Sequence, residues 1–271
     1  MSAPAIIFGA VVGFSLGLTG GGGAIFAVPL LVYGLGVPPR EAIVVSLVVV
    51  ALTAMVGFVQ RALRGTVEFP TAFLFGVSGM VAAPLGAGLA TLIPEWLLLL
   101  LFAMLMGVIA ARMWLKATSA GSPGVCVPTD DNAGPHCKRD PEGKLRITSR
   151  CAGLLAVVGL ATGVFRGLFG VGGGFLIVPA LVTFSGMGMQ RAVGTSLLVI
   201  ALVSMAGLGS HLLSGDTLPL SLTLMFLVGS QTGLFAGSAL ARRLAGPRLQ
   251  QVFAVAIIAV AVFVATRSLQ G

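Results

Sequence analysis

The sequence predicts an all-α integral membrane protein, a polytopic helical bundle of two homologous repeats. Three observations predict it. Of 271 residues, 57% are hydrophobic and 9% are charged, whereas a soluble domain covers its surface with about a quarter charged residues. The mean hydropathy is +1.07, and the apolar residues fall in runs that suit a hydrocarbon core of about 30 Å. The third observation is one pattern repeated at an offset of 150 residues.

These features exclude a soluble enzyme, a secreted disulfide scaffold and a disordered tail. The net charge of +8 would suggest nucleic acid in a soluble protein. In a membrane protein basic residues collect on cytoplasmic loops instead, so no nucleic-acid partner is implied. Three cysteines are too few and too irregularly placed for a disulfide framework. The stretch from Met1 to Gly20 has no basic leader and runs on into more apolar sequence, so it reads as a first membrane segment and not a cleaved signal.

The elements follow in order. A first apolar run, Ala3 to Gly34, is interrupted at Gly20, Gly21, Gly22 and Gly23; then come Ala42 to Gln60, Val67 to Ile93 and Trp96 to Trp114. From Lys116 to Arg150 the chain turns polar and rich in Pro and Gly, the mark of an extramembrane linker. Apolar runs resume at Cys151 to Ser185, interrupted between Gly170 and Gly174, and continue with Ala192 to Leu213, Leu218 to Leu240 and Leu249 to Thr266. The expected organisation is an N-terminal repeat over residues 1–116, a polar linker over 117–149 and a C-terminal repeat over 150–271.

GLTGGGGAIFAVPLLV (Gly17 to Val32) lies over GLFGVGGGFLIVPALV (Gly167 to Val182), and further on Gly36 matches Gly186, Ala42 matches Ala192 and Ser46 matches Ser196. Glycines alone could align by composition. A matched glycine run followed by a matched Pro and a matched Ser points to internal duplication.

Each half then has a glycine-broken first segment and three unbroken ones. If the broken segment crosses fully, the halves are parallel and the flanking basic residues other than the intramembrane Arg166 split ten to five. If it re-enters, turning at the glycines, the halves are inverted and the split is thirteen to two, with Arg40 and Arg267 on the poor side and Arg166 left out as intramembrane. The sharper asymmetry favours inverted repeats with the linker cytoplasmic. Segment length agrees, because Ala3 to Leu18 and Ala24 to Tyr33 are each short for a crossing at ~1.5 Å per residue.

Unwound backbone inside a bilayer survives only where it is buried in protein or lines a cavity. Each glycine run is followed at once by an apolar stretch of helix length, so a helix N-terminus should point at the break. Such ends offer free N–H donors and the positive end of the dipole, and successive glycines let those donors converge on an anion. Gly20, Gly21, Gly22 and Gly23 in one half and Gly170, Gly172, Gly173 and Gly174 in the other are therefore candidate substrate-binding residues. Packing is the competing reading of glycine, and the better one for spaced pairs such as Gly9 and Gly13. A P-loop is excluded because GVGGGF lacks the Lys-Ser/Thr pair.

Arg166 lies four residues before Gly170. An intramembrane guanidinium could hold anion oxygens in a bidentate fork. It could equally snorkel, since it stands about 24 Å along a helix from Arg150. Ser46, Thr195 and Ser196 begin the segments after the breaks and could complete a coordination shell, or simply bond to their own helices.

These residues resemble the TauE/SafE family of sulfite exporters and organosulfonate permeases. The resemblance rests on GLTGGGGAIFAVP and GLFGVGGGFLIVP, each followed by Ala42 to Ser46 or Ala192 to Ser196, and it covers nearly all of the chain except the linker. It implies a multi-pass inner-membrane transporter of small sulfur-containing anions, such as sulfite and sulfoacetate, or of related organic anions. The partners implied are that small anionic substrate and the lipid bilayer, with homo-oligomerisation left open. No cofactor and no metal are implied.

Weaker signals point elsewhere. Cys126, His136 and Cys137 in the linker lack a fourth ligand and the spacing of a zinc site. His211 suits a helix end better than a proton relay, though it could be one with Asp216. An intramembrane enzyme would need a nucleophile with its base, or a metal cluster, and no such motif occurs. A passive anion channel could use the same half-helix dipoles as a carrier. Glu41, Glu68, Glu95 and Asp216 all fall at segment ends, so a buried carboxylate relay for proton coupling is missing and the substrate's own protonation, His211 or a water path would have to serve.

Overall fold

The structure, a computed structural model, describes residues 2–90, 92, 104, 107, 149–169, 174–185, 187–213, 219–243 and 255. The linker and most of the expected segments Trp96 to Trp114 and Leu249 to Thr266 lie outside these. The described chain is helical throughout: α1 (Ser2–Thr19), α2 (Gly23–Pro29) with a π-helical turn (Leu30–Gly34), α3 (Pro39–Ala62), α4 (Phe69–Ala90), α5 (Ser149–Phe169), α6 (Gly174–Phe184), α7 (Met189–Leu213) and α8 (Leu220–Arg243).

Local chemistry sets several of these bounds. Pro39 opens α3 at a first-turn position, with Glu41 beside it, where the missing N–H costs nothing and an acid suits the positive end of the dipole. Pro29 cannot donate to the preceding turn, and the helix widens after it into the π turn. Pro179 stands at the matched place in α6, yet that helix stays α-helical to Phe184.

Among the described residues, four helical stretches are long and apolar enough to cross a membrane: Glu41–Ala62, Phe69–Gly86, Met189–Gly209 and Leu220–Arg243. The apolar helices before and after the first glycine run, Pro4–Thr19 and Gly23–Gly34, are shorter. Along α4, Phe73, Val77, Val81 and Leu85 recur every four residues and are exposed, whereas Ala72, Phe75 and Ala82 are buried. A helix apolar on both its inner and its outer face is one whose outer face meets lipid.

Glycines decide the packing directions. On α1, an added methyl at Gly9, Gly13 or Gly17 would strike the backbone at Phe226, Ser230 or Leu234 of α8. On α8, one at Gly229, Gly233 or Gly237 would strike the backbone at Ile6, Ala10 or Phe14. Six glycines thus interlock, and because the numbers rise together the two helices run parallel. The arrangement needs backbone-to-backbone approach, which only glycine permits. The packing reading of Gly9 and Gly13 is the one the structure shows.

A second seam has the same character. Gly159 of α5 lies against Phe75 and Ser78 of α4, and Gly163 lies against Gly79 and Ala82, so α4 and α5 are also parallel. By contrast α3 and α7, buried at the centre, run antiparallel: Gly57 meets Leu197 while Gly207 meets Leu47. Thr53 of α3 and Ser230 of α8 share a buried hydrogen bond of 2.9 Å. Such interhelical bonds contribute about 0.6 kcal/mol on average in membrane proteins.

Candidate functional site

The first glycine run forms the tip of a hairpin. After it α2 folds back along α1, with Gly23 packed against Val12 and Leu16 and Gly34 against the ring of Phe8. Gly20 takes the left-handed conformation, φ +73°, which reverses the chain at a place where a side chain would be strained. It has no room for one either, since an added Cβ would stand 2.6 Å from Val193 and 2.8 Å from the Ser196 hydroxyl. Gly20, Gly21, Gly22 and Gly23 are all buried.

Thr19 holds the turn. Its hydroxyl donates to the Ser15 carbonyl at 2.6 Å and accepts the Gly22 N–H at 2.9 Å. Gly22 is the N-cap of α2 and supplies no side-chain cap. The first N–H groups of α2, at Gly23 and Ala24, therefore meet the tip without a side-chain acceptor from their cap.

The two glycine runs touch. A Cβ at Gly174 would stand 3.1 Å from the Gly21 carbonyl oxygen and 2.7 Å from Ile200, so the starts of α2 and α6 meet inside the bundle. Gly170, Gly172 and Gly173 lie outside the described residues, as do Cys126, His136, Cys137, Glu95 and Asp216.

The candidate hydroxyls divide. Ser196 is fully buried and stands 2.9 Å from the Gly20 carbonyl, to which it donates, and 2.9 Å from the Val193 carbonyl. It thereby ties α7 to the glycine tip. Ser46 donates to Ile43 of its own helix at 2.8 Å, the local bond open to any helical serine. Thr195 accepts the Glu68 N–H at 3.1 Å, away from the tip; Glu68 also pairs with Arg191 at 3.9 Å. Arg166 is on α5 within one turn of its end. His211 is in the last turn of α7.

Two residues that sequence reasoning passed over belong to this region. Thr19 is one; a Thr three residues before Gly22 is the signal for a side-chain turn closure. The other is Arg61, which stood just past the expected end of its segment at Gln60. The helix runs on to Ala62, and the Arg61 guanidinium turns inward to donate to the Gly17 carbonyl of α1 at 2.9 Å.

Comparison with known proteins agrees with this architecture. Residues 5–264 match the family described as sulfite exporter TauE/SafE. Two relatives, each called "Probable membrane transporter protein", come from Xylella fastidiosa strain 9a5c and strain Temecula1 / ATCC 700964. Each is 35% identical over 263 residues, covering 96% of this chain and 93% of the relative. No solved structure matches. With four membrane-length helices among its described residues, a buried, glycine-broken hairpin and a match over residues 5–264, this chain belongs to the sulfite exporter TauE/SafE family of multi-pass membrane transporters.

Proposed function

We propose that this chain is a secondary transporter of small sulfur-containing anions, such as sulfite or sulfoacetate, or of related organic anions across the cell inner membrane. The observation that carries the reading is the contact between Gly174 and the Gly21 carbonyl. It joins two glycine breaks in a buried place, where the first-turn N–H groups of α2 have no side-chain cap. Backbone donors and dipole ends of this kind hold an anion without a fixed charge. A site without a fixed charge can release its ligand as readily as it takes it.

In this reading the bundle consists of two inverted repeats, residues 1–116 and 150–271, each with a re-entrant hairpin; their described helices are α1–α4 and α5–α8. The packing directions support it. Under the 150-residue shift α3 corresponds to α7, and the two are antiparallel, as an in-plane two-fold axis requires. The same shift turns the α1–α8 seam into the α5–α4 seam, with Gly9 and Gly13 replaced by Gly159 and Gly163 in the same role. Rocking of one such unit against the other would expose a central site to each side in turn. Gly170, Gly172, Gly173, Arg166 and Ser46 remain candidate contributors to that site, Thr195 is engaged with the Glu68 N–H instead, and Ser196 acts by holding Gly20.

The test is flux in proteoliposomes, with sulfite, sulfate, sulfoacetate, taurine and simple carboxylates, with and without a proton gradient. Saturable transport of one sulfur anion is the expected result, and its pH dependence reports proton coupling. Non-saturating conductance would mark a passive channel, and silence from folded protein would leave the glycine runs as packing devices.

A further inference from the structure

A second group of hydrogen-bond donors lies one helical turn from the glycine tip, where α1, α3 and α8 meet. Its centre is Arg61. One guanidinium N–H caps the Gly17 carbonyl in the last turn of α1 at 2.9 Å. A guanidinium has five N–H donors, and among the described residues none of the others has a hydrogen-bond partner and no carboxylate pairs with Arg61. The residue is only partly buried.

Two further groups stand beside it. Gly17 packs against the backbone of Ser238, whose hydroxyl stands 3.1 Å from the Phe235 carbonyl of its own helix and 3.5 Å from the Gln60 amide oxygen. The Gln60 Nε2 is buried and has no partner among the described residues. A buried amide donor left unpaired is costly unless an acceptor arrives. Arg64 and Arg242 lie within electrostatic reach of Arg61, and both are exposed. Three guanidinium groups with no carboxylate bound to the central one repel each other unless an anion joins them.

We infer that Arg61 and Gln60 form an anion-binding site of their own, beside Ser238, a docking position for a small oxyanion on its way to or from the glycine tip, with Arg64 and Arg242 drawing anions toward it. The inference rests on the anion-transport reading. A planar guanidinium and an adjacent amide suit a group with two oxygens in one plane, which sulfite, a sulfonate and a carboxylate all present. Gly20 follows Gly17 by three positions, about 5 Å along a helix, so the two positions are neighbours.

The experiment measures equilibrium binding of radiolabelled sulfite to the full chain in lipid nanodiscs, together with its thermal midpoint. Arg61→Gln should raise the dissociation constant about tenfold or more, the loss that goes with a charge-assisted bond. Arg61→Lys, which keeps the charge and one donor to Gly17, should fall between. Gln60→Leu should weaken binding several-fold with no loss of the folded, monodisperse protein. A purely structural Arg61 would lower the thermal midpoint and leave affinity unchanged, and unchanged affinity in Arg61→Lys and Gln60→Leu alike would overturn the site. Wild-type protein that neither binds nor carries any anion would overturn the transport reading as well. Wild-type transport with all three variants binding normally would overturn this inference alone.

Discussion

The smallest features with the largest consequences are single residues at the hairpin tip. Gly20 combines a positive φ with a wall of Val193 and Ser196 atoms, so Gly20→Ala meets both strain and collision. Strained and overpacked sites each cost about 1–3 kcal/mol. The expected outcome is a lower thermal midpoint with transport lost before folding is, read by fluorescence melting beside flux. Arg166→Gln tests the charged candidate near the second glycine run: if its guanidinium binds the anion, affinity falls with expression intact, and unchanged affinity would assign it to snorkelling. The glycines were legible in the sequence because only a cluster of them breaks a helix. Arg61 was not, since a basic residue at the end of an apolar run reads as the membrane boundary until the chain curls it back onto Gly17. The register that aligns the halves sets Arg61 over His211, two ionisable groups at matched helix ends, and that was the signal available.

Among the elements, α1 and α8 depend most on small residues. Hydrophobic burial gives no drive between helices in lipid, so association rests on close backbone approach and a few hydrogen bonds. Gly13→Leu would push a branched side chain into the Ser230 backbone. Its expected cost is about 3 kcal/mol or more, seen as aggregation or a lower melting point on size-exclusion and thermal assays; a variant as stable as wild type would show that the seam opens freely. Thr53→Val is milder, because it removes the bond to Ser230 and keeps the volume. A loss near 0.6 kcal/mol is expected, and a double-mutant cycle with Ser230→Ala isolates it. Among the described residues, helix existence and bounds followed the apolar runs to within a few residues, since run length and Pro/Gly punctuation act locally. The partner of each helix did not follow, because a GxxxG pattern states that a close neighbour exists and not which helix it is.

Across the whole molecule the prediction concerns orientation. With α3 and α8 parallel, as the contacts of Thr53 with Ser230 and Gln60 with Ser238 show, and α7 antiparallel to both, Arg61, Arg64, Arg191, Arg242 and Arg243 gather at one end. The linker is expected at that same end, facing the cytoplasm. An impermeant thiol reagent applied to intact cells should leave Cys126 and Cys137 unmodified until the membrane is opened; rapid labelling would place the linker outside. Composition and periodicity alone determined that this is a helical membrane protein, because hydrophobicity is additive along a chain. The repeated glycine motif determined its family resemblance and where its helices break, because unwinding is a local property of successive glycines. Only the tertiary structure decided that the two breaks touch, that Ser196 reaches Gly20 across 176 residues and that Arg61 faces inward. Contacts between distant segments depend on packing direction, and packing direction is set by the fit of whole helices, which no single stretch of sequence contains.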